Sequence, residues 1–173
     1  MRPGLNMHAN LRSSDGSARG RFGWRTHLQR SRFEPMTTAT DRATSTGGCL
    51  CGGVRYVVRG PLRGVIACHC SQCRRSSGHF VAATEAAFSD ISLTNSETLA
   101  WFASSNEAER GFCIRCGGNL FWRRTTGDCA MTSIMAGTLD PPTHIKIERH
   151  IFVGDKSDYY EIGDAAPQFV QWD

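Results

Sequence analysis

From residue 54 onward, apolar and polar positions alternate in short runs with a period of two. Val54, Tyr56 and Val58 are apolar, Arg55 and Arg59 are charged, and Gly60-Pro61 ends the run; this predicts a half-buried strand. Val65-Ile66-Ala67 predicts a second short strand leading into Cys68, and residues 79–84 a buried one. Residues 91–94 and 99–103 extend the pattern, bounded by turn formers such as Ser89-Asp90, Asn95-Ser96 and Ser104-Ser105-Asn106. Residues 119–123 read as the strand returning from a hairpin whose turn holds residues 113–118. Residues 131–139, 145–148, 151–154 and 159–162 read as further extended segments. Residues 74–78 predict a short helix or turn, and no amphipathic pattern exceeds about two helical turns. The fold class is therefore expected to be all-β, with short turns and little helix.

Residues 1–46 do not share this pattern. They are rich in Arg, Ser, Thr and Gly, and Leu11, Phe22, Trp24, Leu28 and Phe33 keep neither a 3.6 nor a 2.0 period, which predicts a disordered basic extension. The ordered domain is expected over residues 47–173. The Arg- and Ser-rich, acid-poor extension also has the composition of an organellar transit peptide, and Met36 offers a second start within it.

Charge sharpens the division. The net charge of +4 hides a segment, residues 1–46, with eight arginines against Asp15, Glu34 and Asp41, while the remainder holds twelve basic and thirteen acidic residues. A nearly neutral body makes nucleic acid an unexpected partner. No apolar run reaches membrane-spanning length and no apolar signal core follows the N-terminus, so no membrane partner and a cytoplasmic location are expected. Nothing in the sequence fixes an oligomeric state.

The eight cysteines turn a plain β domain into a candidate metal protein. Cys68, Cys70 and Cys73 form C-x-C-x-x-C, and such crowding in a chain without export features suits Zn²⁺ better than disulfides. Cys113 and Cys116, followed by Gly117-Gly118, have the form of a zinc knuckle at a hairpin turn and need two more ligands. Cys49 and Cys51, flanked by glycine pairs, can supply them and close a four-thiolate structural site. Cys68, Cys70 and Cys73 then predict a second zinc with an open fourth position. His69 would point to the opposite face of an extended segment, which suits a core or acid-base role better than ligation. His79 and Cys129 are weaker candidates for the open position. Arg74 and Arg75, directly after Cys73, are candidate contacts for an anionic substrate, or else a solvated face.

In chain order, G-G-C-L-C-G-G-V-R-Y, C-H-C-S-Q-C-R-R-S-S-G, R-G-F-C-I-R-C-G-G-N-L and H-I-F-V-G-D-K resemble the glutathione-dependent formaldehyde-activating enzyme family, also called the centromere protein V/Gfa domain. The resemblance spans about residues 47 to 170. It implies an all-β fold of the Mss4-like type and two zinc ions, with Cys49, Cys51, Cys113 and Cys116 as structural ligands and Cys68, Cys70 and Cys73 as ligands on the substrate side. It also implies, from the founding members, formation of S-(hydroxymethyl)glutathione from glutathione and formaldehyde. The resulting expectation is a zinc-dependent carbon-sulfur lyase or synthase acting on a small thiol adduct, glutathione being the representative thiol, with Cys68, Cys70 and Cys73 as the catalytic centre and His69 assisting. The alternative is a zinc-stabilised β binding module without catalysis.

Overall fold

The computed structural model describes residues 43–172. The expected basic extension lies outside the described residues as far as residue 42, and residues 44–46 belong to the first strand. The strands are β1 (Thr44–Gly48), β2 (Arg55–Arg59), β3 (Val65–Cys68), β4 (Val81–Ala87), β5 (Ile91–Asn95), β6 (Leu99–Ser105), β7 (Ala108–Cys113), β8 (Asn119–Arg124), β9 (Met131–Met135) and β10 (Ile147–Ile151). One helix, α1 (Ser71–Ser77), follows β3. The chain is all-β, as its alternating pattern predicts.

Two sheets form. β1, β2 and β5 make a three-stranded antiparallel sheet, and the other seven strands make a second in the order β10-β3-β4-β9-β8-β7-β6. Only β10 against β3 is parallel within it.

Period-two alternation gives each strand of the larger sheet two distinct faces. On one face Thr84, Ile134 and Phe121 lie in register and belong with the buried side of the smaller sheet. Tyr56 meets Phe121 edge-on at a centroid distance of 5.2 Å, and Val54, Val58, Leu120 and Ile134 complete this core. The opposite face carries three cross-strand rows. Arg110, Trp122, Ser133 and Glu85 form one; Met135, Ala83, Ile66 and Arg149 the second; Val81, Cys68 and Ile151 the third. These rows floor a cavity.

Three stretches that read as extended are not strands throughout. β9 stops at Met135 because residues 136–138 form a 3₁₀ turn, in which Thr138 Oγ1 donates to Met135 O at 2.7 Å. Phe152 adopts a left-handed backbone, φ 56°, and a 3₁₀ turn over Val153–Asp155 follows. Residues 159–162 form no strand; Tyr159 and Tyr160 serve as ring partners of His79 and His69. The segment after them returns along β10. Phe169 N donates to His150 O (2.9 Å), Val153 N to Phe169 O (3.0 Å) and Phe152 N to Gln171 O (3.0 Å). No helix among the described residues is long and apolar enough to cross a membrane.

Candidate functional site

The structure gathers seven cysteines into two clusters, each with its sulfur atoms within 4.8 Å of one another. The first unites Cys49 and Cys51, in the turn between β1 and β2, with Cys113, the last residue of β7, and Cys116, in the turn that leads to β8. Cys51 Sγ lies 3.6 Å from both Cys49 Sγ and Cys113 Sγ. That separation is far beyond a disulfide and close to the roughly 3.8 Å between two thiolates sharing a tetrahedral Zn²⁺. Glycines make the turns possible: Gly52 and Gly117 hold φ of 74° and 72°, which L-residues with a Cβ adopt only under strain. The folded-back chain then aims donors at sulfur, with Val54 N–H 3.3 Å from Cys49 Sγ. Thr98 Oγ1 lies 3.0 Å from Cys113 Sγ, and its hydrogen bond pulls the Cys113 thiol down to about 6. This cluster ties the two sheets together, and none of its cysteines lines the cavity.

The second cluster is Cys68, Cys70 and Cys73. β3 delivers Cys68 at its C-terminal end, Cys70 is the N-cap of α1, and Cys73 lies three residues on, on the same side of the first turn. Cys70 Sγ accepts the Cys73 backbone N–H at 3.4 Å. The neighbouring thiols of Cys68 and then Cys73 hold the Cys70 thiol far below its ordinary range. Three sulfurs with one favoured as thiolate are a donor set suited to a soft or borderline metal such as Zn²⁺. Unlike the first cluster, all three line the cavity, whose volume is about 420 Å³.

The cavity wall contains residues that the motif spacing did not indicate. Arg63, Arg110 and Arg149 line it. Arg110 Nη2 is 3.9 Å from Cys73 Sγ and 3.4 Å from Gln72 Oε1. Arg63 pairs with Glu85 at 3.4 Å. Trp122, Phe152 and Trp172 supply aromatic surface. Period-two counting from Cys68 across the paired strands is the signal that leads to Arg110, Trp122 and Arg149, but it requires the register, which no single strand carries.

The other expected residues are placed elsewhere. Arg74 and Arg75 sit on α1 and are not among the residues lining the cavity; Arg75 is exposed, and Arg74 Nε is buried without a hydrogen-bond partner among the described residues. His69 is fully buried behind the cysteines, against Phe80, His150 and Tyr160. Burial, then the nearby charge of His150, pushes its pKa down to about 4. His79 contacts Tyr159, and Cys129 is exposed near Gly127; neither belongs to a sulfur cluster.

A protein of Schizosaccharomyces pombe described as an uncharacterized lyase is 29% identical over 127 residues, 72% of this chain and 89% of that protein. A crystal structure of a Rhodobacter sphaeroides protein aligns at a TM-score of 0.48 with 26% identity, covering 57% of this chain and 91% of that one. The profile of the family described as glutathione-dependent formaldehyde-activating enzyme matches residues 44–155, the stretch that holds all seven clustered cysteines, and the chain belongs to that family.

Proposed function

We propose that this protein is a zinc-dependent carbon-sulfur lyase or synthase that makes or breaks the bond between a small thiol and the carbon of an aldehyde, with Cys68, Cys70 and Cys73 as its reactive centre. One observation carries the reading: of the two sulfur clusters among the described residues, the three-cysteine one lines the 420 Å³ cavity and the four-cysteine one does not. The family description and the lyase name of the yeast relative support the reaction class.

The four cysteines Cys49, Cys51, Cys113 and Cys116 would hold a structural zinc, and Cys68, Cys70 and Cys73 a second one. Held by these three thiolates, zinc would favour the deprotonated form of an entering thiol. The chain's residues do the rest. Arg110, beside Cys73, offsets negative charge in the cluster. The floor of Ile66, Val81, Ala83 and Ile151 offers the carbon skeleton of the thiol an apolar surface. In the forward direction the thiol gives up its proton to solvent, sulfur bonds to the aldehyde carbon, and the carbonyl oxygen takes a proton; the reverse expels the thiol. His69, buried between the ligands with its pKa pushed down to about 4, would keep this segment in place rather than act as the acid or base.

Formation of S-(hydroxymethyl)glutathione from glutathione and formaldehyde is the reference reaction for the assay. Cobalt-substituted protein should show a changed visible spectrum when a thiol is added, and Cys70→Ser should abolish the change. A wild-type spectrum indifferent to thiols would overturn the proposal and favour a β-domain binding module stabilised by both metals.

A further inference from the structure

Resting on the reading of the three-cysteine cluster as the place of the thiol sulfur, we infer that the ion pair of Arg63 and Glu85, farther along the same cavity, is a recognition site for an α-amino-acid head group. The ammonium of the head falls to Glu85 and its carboxylate to Arg63.

The sulfur cluster packs on Val81, Ala83 and Met135. Val81 pairs with Cys68, and Ala83 and Glu85 follow it on the same face of β4. At the rise of a strand, Glu85 stands about 13 Å along β4 from Val81. The floor between them is Ile66, Ala83 and Met135, which offers a charged group no partner. A ligand with its sulfur at the cluster and its body along β4 meets charge of both signs at Glu85 and Arg63. Arg149, paired with Ile66 across from β10, adds positive charge to this wall and none of the negative charge an ammonium needs.

The backbone fixes the pair in place. Arg63 N–H donates to Glu85 O at 3.0 Å, Thr84 Oγ1–H donates to Arg63 O, and the Arg63 Nε–H reaches Glu85 Oε2 at 3.4 Å. Neither charged group is saturated by these contacts. Glu85 otherwise receives Ser133 Oγ at 3.5 Å, and a carboxylate has about four acceptor positions. Arg63 otherwise donates from Nη1 to Gly64 O at 3.0 Å, and a guanidinium has about five N–H donors. The two side chains line the cavity and are 29% and 27% exposed. Glu85 is the one carboxylate among the lining residues. A bare ammonium at this place would therefore face the Arg63 guanidinium as well as Glu85, and a bare carboxylate would face Glu85 as well as Arg63. A group that carries both charges on one carbon satisfies both partners at once. In glutathione the γ-linkage leaves the amine and the carboxylate of the glutamyl α-carbon free, at the end of the molecule away from the sulfur. In the α-linked isomer the same atoms are present, but that carboxylate is taken up in the peptide bond.

The test is calorimetric titration of the zinc-loaded full chain with three ligands: glutathione, its α-linked isomer, and γ-glutamyl-2-aminobutyrylglycine, in which a methyl group replaces the thiol. The wild-type chain should bind glutathione about tenfold or more tighter than the α-linked isomer. Glu85→Gln, with Arg63→Gln as a second variant, should weaken glutathione about tenfold and leave the isomer unchanged. Cobalt-substituted Glu85→Gln should keep the wild-type spectrum in the absence of ligand, which separates a lost head-group contact from a damaged sulfur site. A changed spectrum would overturn the inference, because the pair would then serve the sulfur site itself. Equal affinity of the wild-type chain for the two isomers, or equal weakening of both by Glu85→Gln, would also overturn it. If glutathione and its thiol-free analogue bound the wild-type chain equally and Glu85→Gln weakened both, the head-group site would stand and the thiol reading would fall. No binding by any of the three would overturn both.

Discussion

His69 Nε2 lies 2.9 Å from His150 Nδ1, and both rings are buried. His150 Nε2 is 3.0 Å from each oxygen of Asp164, so that nitrogen carries the proton and donates. In the neutral form of His150, Nδ1 then accepts from His69 Nε2–H, which leaves His69 Nδ1 to accept from the Tyr160 hydroxyl. Hydrogen bonds thus run one way from Tyr160 to Asp164 and lock the segment between Cys68 and Cys70 onto the chain after β10. Replacing either histidine by phenylalanine should cost about 1–3 kcal/mol by stranding its partner. The double replacement should cost clearly less than the sum of the two, as measured by urea unfolding.

The two sulfur clusters should respond differently to mutation. Cys113 is fully buried and joins sheets through a partner 62 residues away in Cys51, so Cys113→Ser should lose one zinc and several kcal/mol of stability, on the order of a small domain's total. Cys70→Ser should lose one zinc and the thiol response while keeping the unfolding transition within about 1–2 kcal/mol of wild type. Metal analysis combined with denaturant titration separates these outcomes. Equal destabilisation by both would mean that the division of roles is wrong.

Alkaline unfolding should report Tyr56. Burial pushes its phenol up to about 12, and its O–H donates to Thr138 Oγ1 at 2.7 Å, since Thr138 gives its own proton to Met135 O. The unfolded chain releases this proton near pH 10 and the folded one near 12, so the contribution is whole below pH 10 and is lost as pH rises through 12. About 3 kcal/mol should disappear over that window. Tyr56→Phe, compared at each pH, should lack this component and be about 1 kcal/mol less stable at neutral pH.

Gly117 offers a test of the knuckle backbone. Its φ is 72°, and a Cβ added there would meet nothing within 4 Å, so Gly117→Ala imposes backbone strain without a clash. A loss of about 1–2 kcal/mol is expected, and Gly117→Asn should recover part of it because asparagine tolerates this conformation. Thermal unfolding of the two variants checks the ranking.

Local chemistry made the cysteine clusters and most strands legible in the sequence. C-x-C and C-x-x-C at glycine turns identify candidate ligands because few residues can place two sulfurs so closely, and Val54, Tyr56 and Val58 declare a buried face through simple alternation. Arg110, Trp122 and Arg149 were not legible, since their meeting depends on which strand pairs with which and in what register. Nor was Trp172, which reaches the cavity only because residues 167–171 fold back along β10 through hydrogen bonds that any sequence can make. Adjacency drew attention to Arg74 and Arg75, but α1 carries them away from the cavity wall.

β4 is a partition one residue thick. Val81, Ala83 and Glu85 line the cavity, while Thr84 and Ala86 are fully buried on the other side. Ligand preference and fold integrity are consequently written on alternate letters of one seven-residue strand. A lineage, or an engineer, can change the odd letters to reshape the cavity while leaving the even ones untouched, whereas inserting or deleting a single residue here would exchange the two messages and ruin both.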